Sequence, residues 1–389
     1  MTTETIDAAE LDQARAQSLA SGAAGAALLD VEHALHGTAS WTSAAEHIRT
    51  ATSGTISAAS HAGLYYGVPA ICFLLHAASS DGSARFQTAT KVADRHVAAV
   101  TERRVKAAID RRSHGIALTF KDYDLFYGLA GICSLMVRSM PDSAVLPELL
   151  TYLVELSKPR REDDLLVPGW WVDHDPDPIM PTPGGHANLG MAHGAAGLLA
   201  TLALATRRGI EVQGQREAVV RIIDLFDSWR QDGPNGPWWP QWLTHDDLRT
   251  GRTSQPTPGR LSWCYGSPGI TRALQLAAVA LGDPSRQQQA ERDLAANLND
   301  AQLARTDSTG LCHGIAGLYQ TAWRMAEDAI TPEISDRLAD LAAHLTHHSQ
   351  AAADDDGLLT GHAGIQLALE TLRYGTAPKS GWDSCLLIN

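Results

Sequence analysis

The chain has 389 residues, 44% of them apolar and 19% charged, enough to bury a large core as one repeat domain or as two or three smaller ones. Its formal net charge of −13 argues against nucleic-acid binding, which relies on Lys and Arg neutralising phosphates. No apolar run reaches the ~18 residues needed to span a bilayer, and the opening Met1-Thr2-Thr3-Glu4-Thr5-Ile6-Asp7 is acidic where a signal peptide is basic; a cytoplasmic protein without a transmembrane segment is expected.

From the N-terminus onward a small-residue motif recurs seven times: Gly22-Ala-Ala-Gly25, Gly67-Val-Pro-Ala70, Gly128-Leu-Ala-Gly131, Gly194-Ala-Ala-Gly197, Gly266-Ser-Pro-Gly269, Gly314-Ile-Ala-Gly317 and Gly361-His-Ala-Gly364. Each opens an Ala- and Leu-rich run too long for a typical strand, which predicts a buried inner helix. Ahead of each motif lies a more charged segment, at roughly 7–19, 42–53, 86–110, 145–157, 215–230, 284–303 and 331–349. Apolar residues there recur at three and four, as in Val219, Ile222, Ile223 and Phe226, which predicts outer helices with one wet face. The basic cluster Arg103-Arg104 with Arg111-Arg112 reads as part of such a solvated face. Seven inner and seven outer helices can close into an all-α, double-layered α/α toroid; an open solenoid satisfies the same pattern.

The motif glycines are expected to permit close backbone approach and a loop turn with positive φ. In a closed ring the preceding loops converge at one end, so the two residues before each first glycine share a mouth. Those positions hold Ala20-Ser21, Tyr65-Tyr66, Phe126-Tyr127, Ala192-His193, Cys264-Tyr265, Cys312-His313 and Leu359-Thr360. Two irregular insertions interrupt the repeat, at 158–188 and 231–260. The first is rich in turn residues and the second holds Trp238-Trp239-Pro240-Gln241-Trp242; its tryptophans either contact a peptide or pack the loop onto the helices.

Five cysteines are an odd number for a disulfide framework. Cys72 and Cys133 lie in apolar helical runs, as small buried hydrophobes do, and Cys385 carries no signal. Cys264, Cys312 and His313 are different, because all three fall in the mouth register. Two thiolates and one imidazole suit a single zinc with its fourth tetrahedral position open, the arrangement of catalytic sites. Adjacent helical residues point about 100° apart, so Cys312 and His313 share a metal only from a loop or helix start, where the dipole also favours thiolate.

Trp263-Cys264-Tyr265-Gly266, Cys312-His313-Gly314, Ala192-His193-Gly194, the seven motif helices and the ending Gly381-Trp382-Asp383-Ser384-Cys385-Leu386-Leu387 together resemble the lanthipeptide cyclases of the lanthionine synthetase C-like family, stand-alone bacterial type. The likeness covers essentially residues 1–389, as one catalytic toroid domain. It implies one zinc on Cys264, Cys312 and His313, an active-site His193, and supporting roles for Asp124, Arg260 and Tyr265. An insertion that forms a small peptide-binding subdomain in some members corresponds to the shorter 158–188 here.

The implied reaction is the intramolecular Michael-type addition of precursor-peptide cysteine thiols to dehydroalanine or dehydrobutyrine, giving lanthionine and methyllanthionine rings in lantibiotic biosynthesis. His193 is the implied general acid, with Asp124 orienting it and Arg260 facing the enolate oxygen. Plainer readings are that Asp124 only caps a helix and Arg260 only bridges loops. The implied partners are a dehydrated precursor peptide, a dehydratase and a peptide exporter, with membrane association through such a complex. Three rivals stay open: a related thiol transferase adding glutathione-like thiols to dehydrated proteins, a non-catalytic peptide-binding scaffold, and a toroidal glycosidase. The last lacks a carboxylate pair in the motif register.

Overall fold

The computed structural model describes residues 8–177, 179–349 and 355–389. Seven inner helices run Ala23–His36, Val68–Ala78, Leu129–Ser139, Ala195–Arg207, Ser267–Leu281, Ile315–Asp328 and His362–Tyr374. Each packs on the next, and the seventh packs back on the first. The ring is closed, which removes the open solenoid. Its helices are apolar nearly all round because both faces are covered; in the fourth every residue from Ala195 to Thr206 is buried.

Outer helices Trp41–Ala51, Gln87–Ser113, Leu146–Leu156, Gln215–Trp229, Pro284–Asn297 and Leu338–His348 each pack against the inner helix just before them. Ala8–Ala16 supplies a seventh, against the first inner helix and Trp41–Ala51. Residue 7, the expected start of that segment, lies outside the described residues. The segment expected over 284–303 stops at Asn297, and Asn299 caps a separate turn, Asp300–Leu303.

The motif glycines are needed for close approach. At six of the seven motifs, a Cβ on the second glycine would fall under 3.0 Å from the carbonyl oxygen of the residue six positions earlier, as with Gly317 against Leu311 and Gly269 against Trp263. The expected positive φ is found only at Gly67, at 72°, whereas Gly22, Gly128, Gly194, Gly266, Gly314 and Gly361 are extended or nearly so. That exception coincides with Ala70: where the loop enters by the left-handed turn, the second position takes a side chain.

These tight loops are stitched to one another by backbone hydrogen bonds. The amide of Leu125 donates to the Ala192 carbonyl, Ala192 to Cys264, Cys264 to Cys312, Cys312 to Leu359, Leu359 to Ala20, and Leu19 to Tyr65. Between the second and third loops a side chain makes the link. Arg104, expected on a solvated face, is 8% exposed, and its guanidinium donates to the carbonyls of Ala62, Lys121 and Tyr127. Tyr65 also stacks on Phe126 across this seam, ring centroids 4.3 Å apart.

The inside of the ring is filled by residues 380–388. Leu386, Leu387 and Ile388 are fully buried, and side chains of the inner helices and their entry loops hold the segment by its backbone. Trp263 Nε1 donates to the Leu386 carbonyl, Arg272 Nε to that of Ile388 and Tyr65 Oη to that of Cys385, each at 2.9 Å. The buried Asp383 carboxylate accepts from Arg324 Nε at 2.6 Å and Gln320 Nε2 at 2.8 Å. Cys385, uninformative as sequence, is part of this plug.

The two insertions pair with each other. Ala187–Asn188 forms a short antiparallel ladder with Trp242–Leu243, and Arg160–Glu162 forms a hairpin with Leu165–Val167. Trp170, Trp171, Trp238 and Trp239 are buried, with Trp239 Nε1 donating to the Phe226 carbonyl at 2.8 Å; packing, rather than exposure to a peptide, accounts for them. No helix among the described residues is long and apolar enough to cross a membrane.

Gly317→Ala forces a methyl group against the Leu311 carbonyl and should destabilise the protein by about 1–3 kcal/mol, the usual cost of overpacking. A lowered urea midpoint checks this; an unchanged midpoint would show that the loop yields freely.

Candidate metal centre and active site

Cys264, Cys312 and His313 come from the fifth and sixth motif loops, bonded to each other through the Cys264 amide and the Cys312 carbonyl at 3.2 Å. One ligand atom from each lies within 4.8 Å of the others. Gly314 is extended, with φ −116° and ψ −174°, so Cys312 and His313 precede the helix and are free of its 100° stagger.

The electrostatics of this trio fit a cation. The hydrogen bond from Cys312 holds the Cys264 thiol well below the ordinary thiol range, with help from His313 and Ser262 and against the cost of burial. The same pairing, with burial added, pushes the Cys312 thiol up. Such a pair releases one proton readily and keeps the second until a positive charge replaces it. Two thiolates and one neutral imidazole compensate a divalent charge and are the donor types zinc prefers.

The trio opens on a cavity of about 320 Å³ that is also lined by Arg260, Tyr265 and Trp242, with Pro176, Asp177 and Met180 of the first insertion on its rim. A larger groove of about 660 Å³, between outer helices Trp41–Ala51 and Gln87–Ser113, is lined mainly by aliphatic side chains and holds none of these groups. Arg260 is exposed on its loop, and Tyr265 lies between the trio and the next loop.

On that next loop stands His193, whose Nδ1 is 2.5 Å from Asp124 Oδ2. The other oxygen of Asp124 accepts from the Tyr127 and Gly128 amides, each at 2.7 Å. Asp124 therefore both caps the third inner helix and binds His193; the two readings of the sequence are not exclusive. Burial raises its pKa, opposed by the hydrogen bonds from His193, Tyr127 and Gly128. Tyr123 Oη fixes the backbone by donating to the His193 carbonyl at 2.8 Å.

Aromatic rings wall in the imidazole. Phe120 stacks on His193 with centroids 4.8 Å apart and Phe126 at 5.1 Å, while Tyr127 and Tyr265 each stand at 5.9 Å. Phe126, Tyr127 and Tyr265 belong to the motif register. Phe120 was not legible as a site residue; it starts a one-turn helix whose only sequence signal is the Thr119–Asp122 capping box.

A closed double ring of helices, carrying a candidate metal-ligand set of two cysteines and a histidine and a His–Asp pair on neighbouring loops at one mouth, defines an α/α-toroid protein. The chain belongs to the family described as lanthionine synthetase C-like protein, which matches residues 13–387. It is 24% identical over 281 residues to the nisin biosynthesis protein NisC of Lactococcus lactis subsp. lactis, a match covering 70% of this chain and 65% of that relative's length. A solved structure titled nisin cyclase superposes with a TM-score of 0.82 at 20% identity, covering 96% of this chain and 93% of the other. That likeness confirms the toroidal fold.

Behind Phe120 lies His186, fully buried. Its Nδ1 donates to the His174 carbonyl at 2.9 Å, which leaves the lone pair on Nε2 without a partner. Burial lowers its pKa from 6.5 to about 4. The unfolded chain takes up a proton near 6.5 while the folded one stays neutral, so stability falls as pH drops from 6.5 towards 4, by at most about 1.4 kcal/mol per pH unit. His186→Asn keeps a donor near Nδ1 and cannot titrate, and should lose this slope. Urea unfolding across that pH range checks it; an unaltered slope would assign the acid sensitivity to other groups.

Proposed function

We propose that this protein is a zinc-dependent cyclase that closes thioether rings in a dehydrated precursor peptide by intramolecular Michael-type addition. The observation that carries this reading is that Tyr265, which lines the cavity together with Cys264, Cys312 and His313, stands 5.9 Å from the ring of His193, itself bonded to Asp124. Cys264, Cys312 and His313 would hold the zinc, one per chain. When bound, the metal supplies positive charge that favours the thiolate form of a substrate cysteine, whose unperturbed pKa is about 8.5.

The chain's own groups handle the rest of the addition. Sulfur bonds to the β-carbon of the dehydro residue, the alkene electrons move onto the neighbouring carbonyl as an enolate, and a proton is delivered to the α-carbon. His193 would perform that last step: Asp124 occupies Nδ1, which leaves Nε2 to carry the proton. The aromatic walls limit water around the ring. Arg260 offers its guanidinium to the enolate oxygen from the cavity edge, and Tyr265 orients the peptide between the two halves of the site. The toroid acts as one catalytic domain, with residues 158–188 supplying the rim that the peptide crosses. The partners are the dehydrated peptide, its dehydratase and an exporter, in the cytoplasm or at the membrane through that complex.

Incubation with a dehydrated precursor should consume its free thiols without change in mass. No loss of thiols across a panel of dehydrated peptides would favour a binding scaffold instead. Cys264→Ala should lose zinc and activity with little change in helical circular dichroism. His193→Asn should keep its zinc and lose cyclisation by about 10²–10⁴-fold, the usual worth of general acid catalysis. Its residual product should show weaker control of α-carbon configuration, read by chiral analysis of the hydrolysed thioether. A near-normal rate with unchanged configuration would assign the proton to another group.

A further inference from the structure

A second set of metal-ligating side chains converges far from the mouth. Cys72 and His76 lie one helical turn apart on the second inner helix and so share a face. Asp94 reaches them from outer helix Gln87–Ser113, which packs on that helix. Asp94 Oδ1 lies 3.3 Å from Cys72 Sγ and 2.8 Å from His76 Nε2, and the three ligand atoms are all within 4.8 Å of one another. We propose that Cys72, His76 and Asp94 form a second transition-metal site, suited to zinc and separate from the set at the mouth.

Geometry supports this. Zinc bonds of about 2.3 Å to sulfur and about 2.0 Å to nitrogen or oxygen imply ligand–ligand edges of roughly 3.3–3.5 Å in a tetrahedron. The Asp94–Cys72 and Asp94–His76 separations of 3.3 and 2.8 Å need about half an ångström of adjustment or less to reach these edges. Charge supports it too. Without metal, Asp94 Oδ1 faces both a thiol and an imidazole; with it, the Cys72 thiol would give up its proton, and a thiolate, a carboxylate and a neutral imidazole would compensate the divalent ion. A thiolate with an imidazole selects zinc-like metals over magnesium or calcium, which prefer oxygen donors.

Access and isolation are also present. Cys72 is fully buried between helices, whereas the side chains of His76 and Asp94 are about a quarter exposed and give the ion a way in. His76 sits in the last turn of its helix, while Cys264, Cys312 and His313 sit before the first turns of theirs, so the sites share no ligand. The second ion would clamp an inner helix to its outer partner and take no part in ring closure.

The test is zinc stoichiometry of the full-length protein after saturation and gel filtration. Two ions per chain are expected in the wild type, and one each in Asp94→Asn, in Cys72→Ser and in the double variant Cys264→Ala/Cys312→Ala. Cys72→Ser should close rings at the wild-type rate. Cobalt added to the double variant should give a thiolate-to-cobalt charge-transfer band that disappears when Cys72→Ser is added, with circular dichroism reporting the fold throughout. One ion in the wild type and none in the double variant overturns this site and leaves the proposed cyclase standing. One ion that survives the double variant and is lost in Asp94→Asn supports this site and removes the metal from the mouth.

Discussion

The rest of the molecule depends on the hydrogen bonding of neighbouring motif loops around the mouth. Each link joins the backbone three or four residues before one inner helix to the corresponding backbone of the next, from Leu125 through Ala192, Cys264, Cys312 and Leu359 to Ala20, then from Leu19 to Tyr65. Buried backbone groups must find partners, and these loops have no sheet or helix in which to find them. They find each other, and the register of one loop is thereby imposed on the next. Glycine makes this affordable, because six of the seven inner helices begin with their backbone packed onto the carbonyl of their own entry loop. Arg104 serves the seam where the loop conformation differs.

Site geometry is a by-product of that register. Cys264 and Cys312 are consecutive links in the chain of hydrogen bonds, so their thiols are brought together by the same contacts that close the ring. Ala192 is the link before them and carries His193 beside it, while Leu125 carries Asp124. A one-residue slip in any of these loops would move a ligand or the imidazole to a different face. The close thiol pair, which would repel as two thiolates, is the electrostatic feature that makes a cation favourable there.

The plug formed by residues 380–388 solves a different problem. Seven helices in a ring leave space along their common axis, and unfilled apolar space is costly. Leu386, Leu387 and Ile388 fill it, while Arg272, Arg324, Gln320 and Trp263 satisfy the backbone and the Asp383 carboxylate that are carried inside. A buried charge of this kind is tolerable only when fully paired, which is why the inner helix Ile315–Asp328 turns both Gln320 and Arg324 towards Asp383.

The sequence by itself determined the helical class, the count of seven motifs and the register that lines up Cys264, Cys312, His313 and His193, because periodicity and spacing are local properties of a chain. It also placed Asp124 close before a motif glycine. It did not reveal Arg104 as a buried linker, Phe120 as a wall of the imidazole pocket, Cys385 as part of a central plug, or the Cys72–His76–Asp94 cluster. Those residues acquire their roles from partners that topology brings together: Arg104 from carbonyls up to 42 positions away, Cys385 from Tyr65 at a separation of 320. Only ring closure decided between toroid and solenoid, since the same motifs satisfy both until the seventh helix packs on the first.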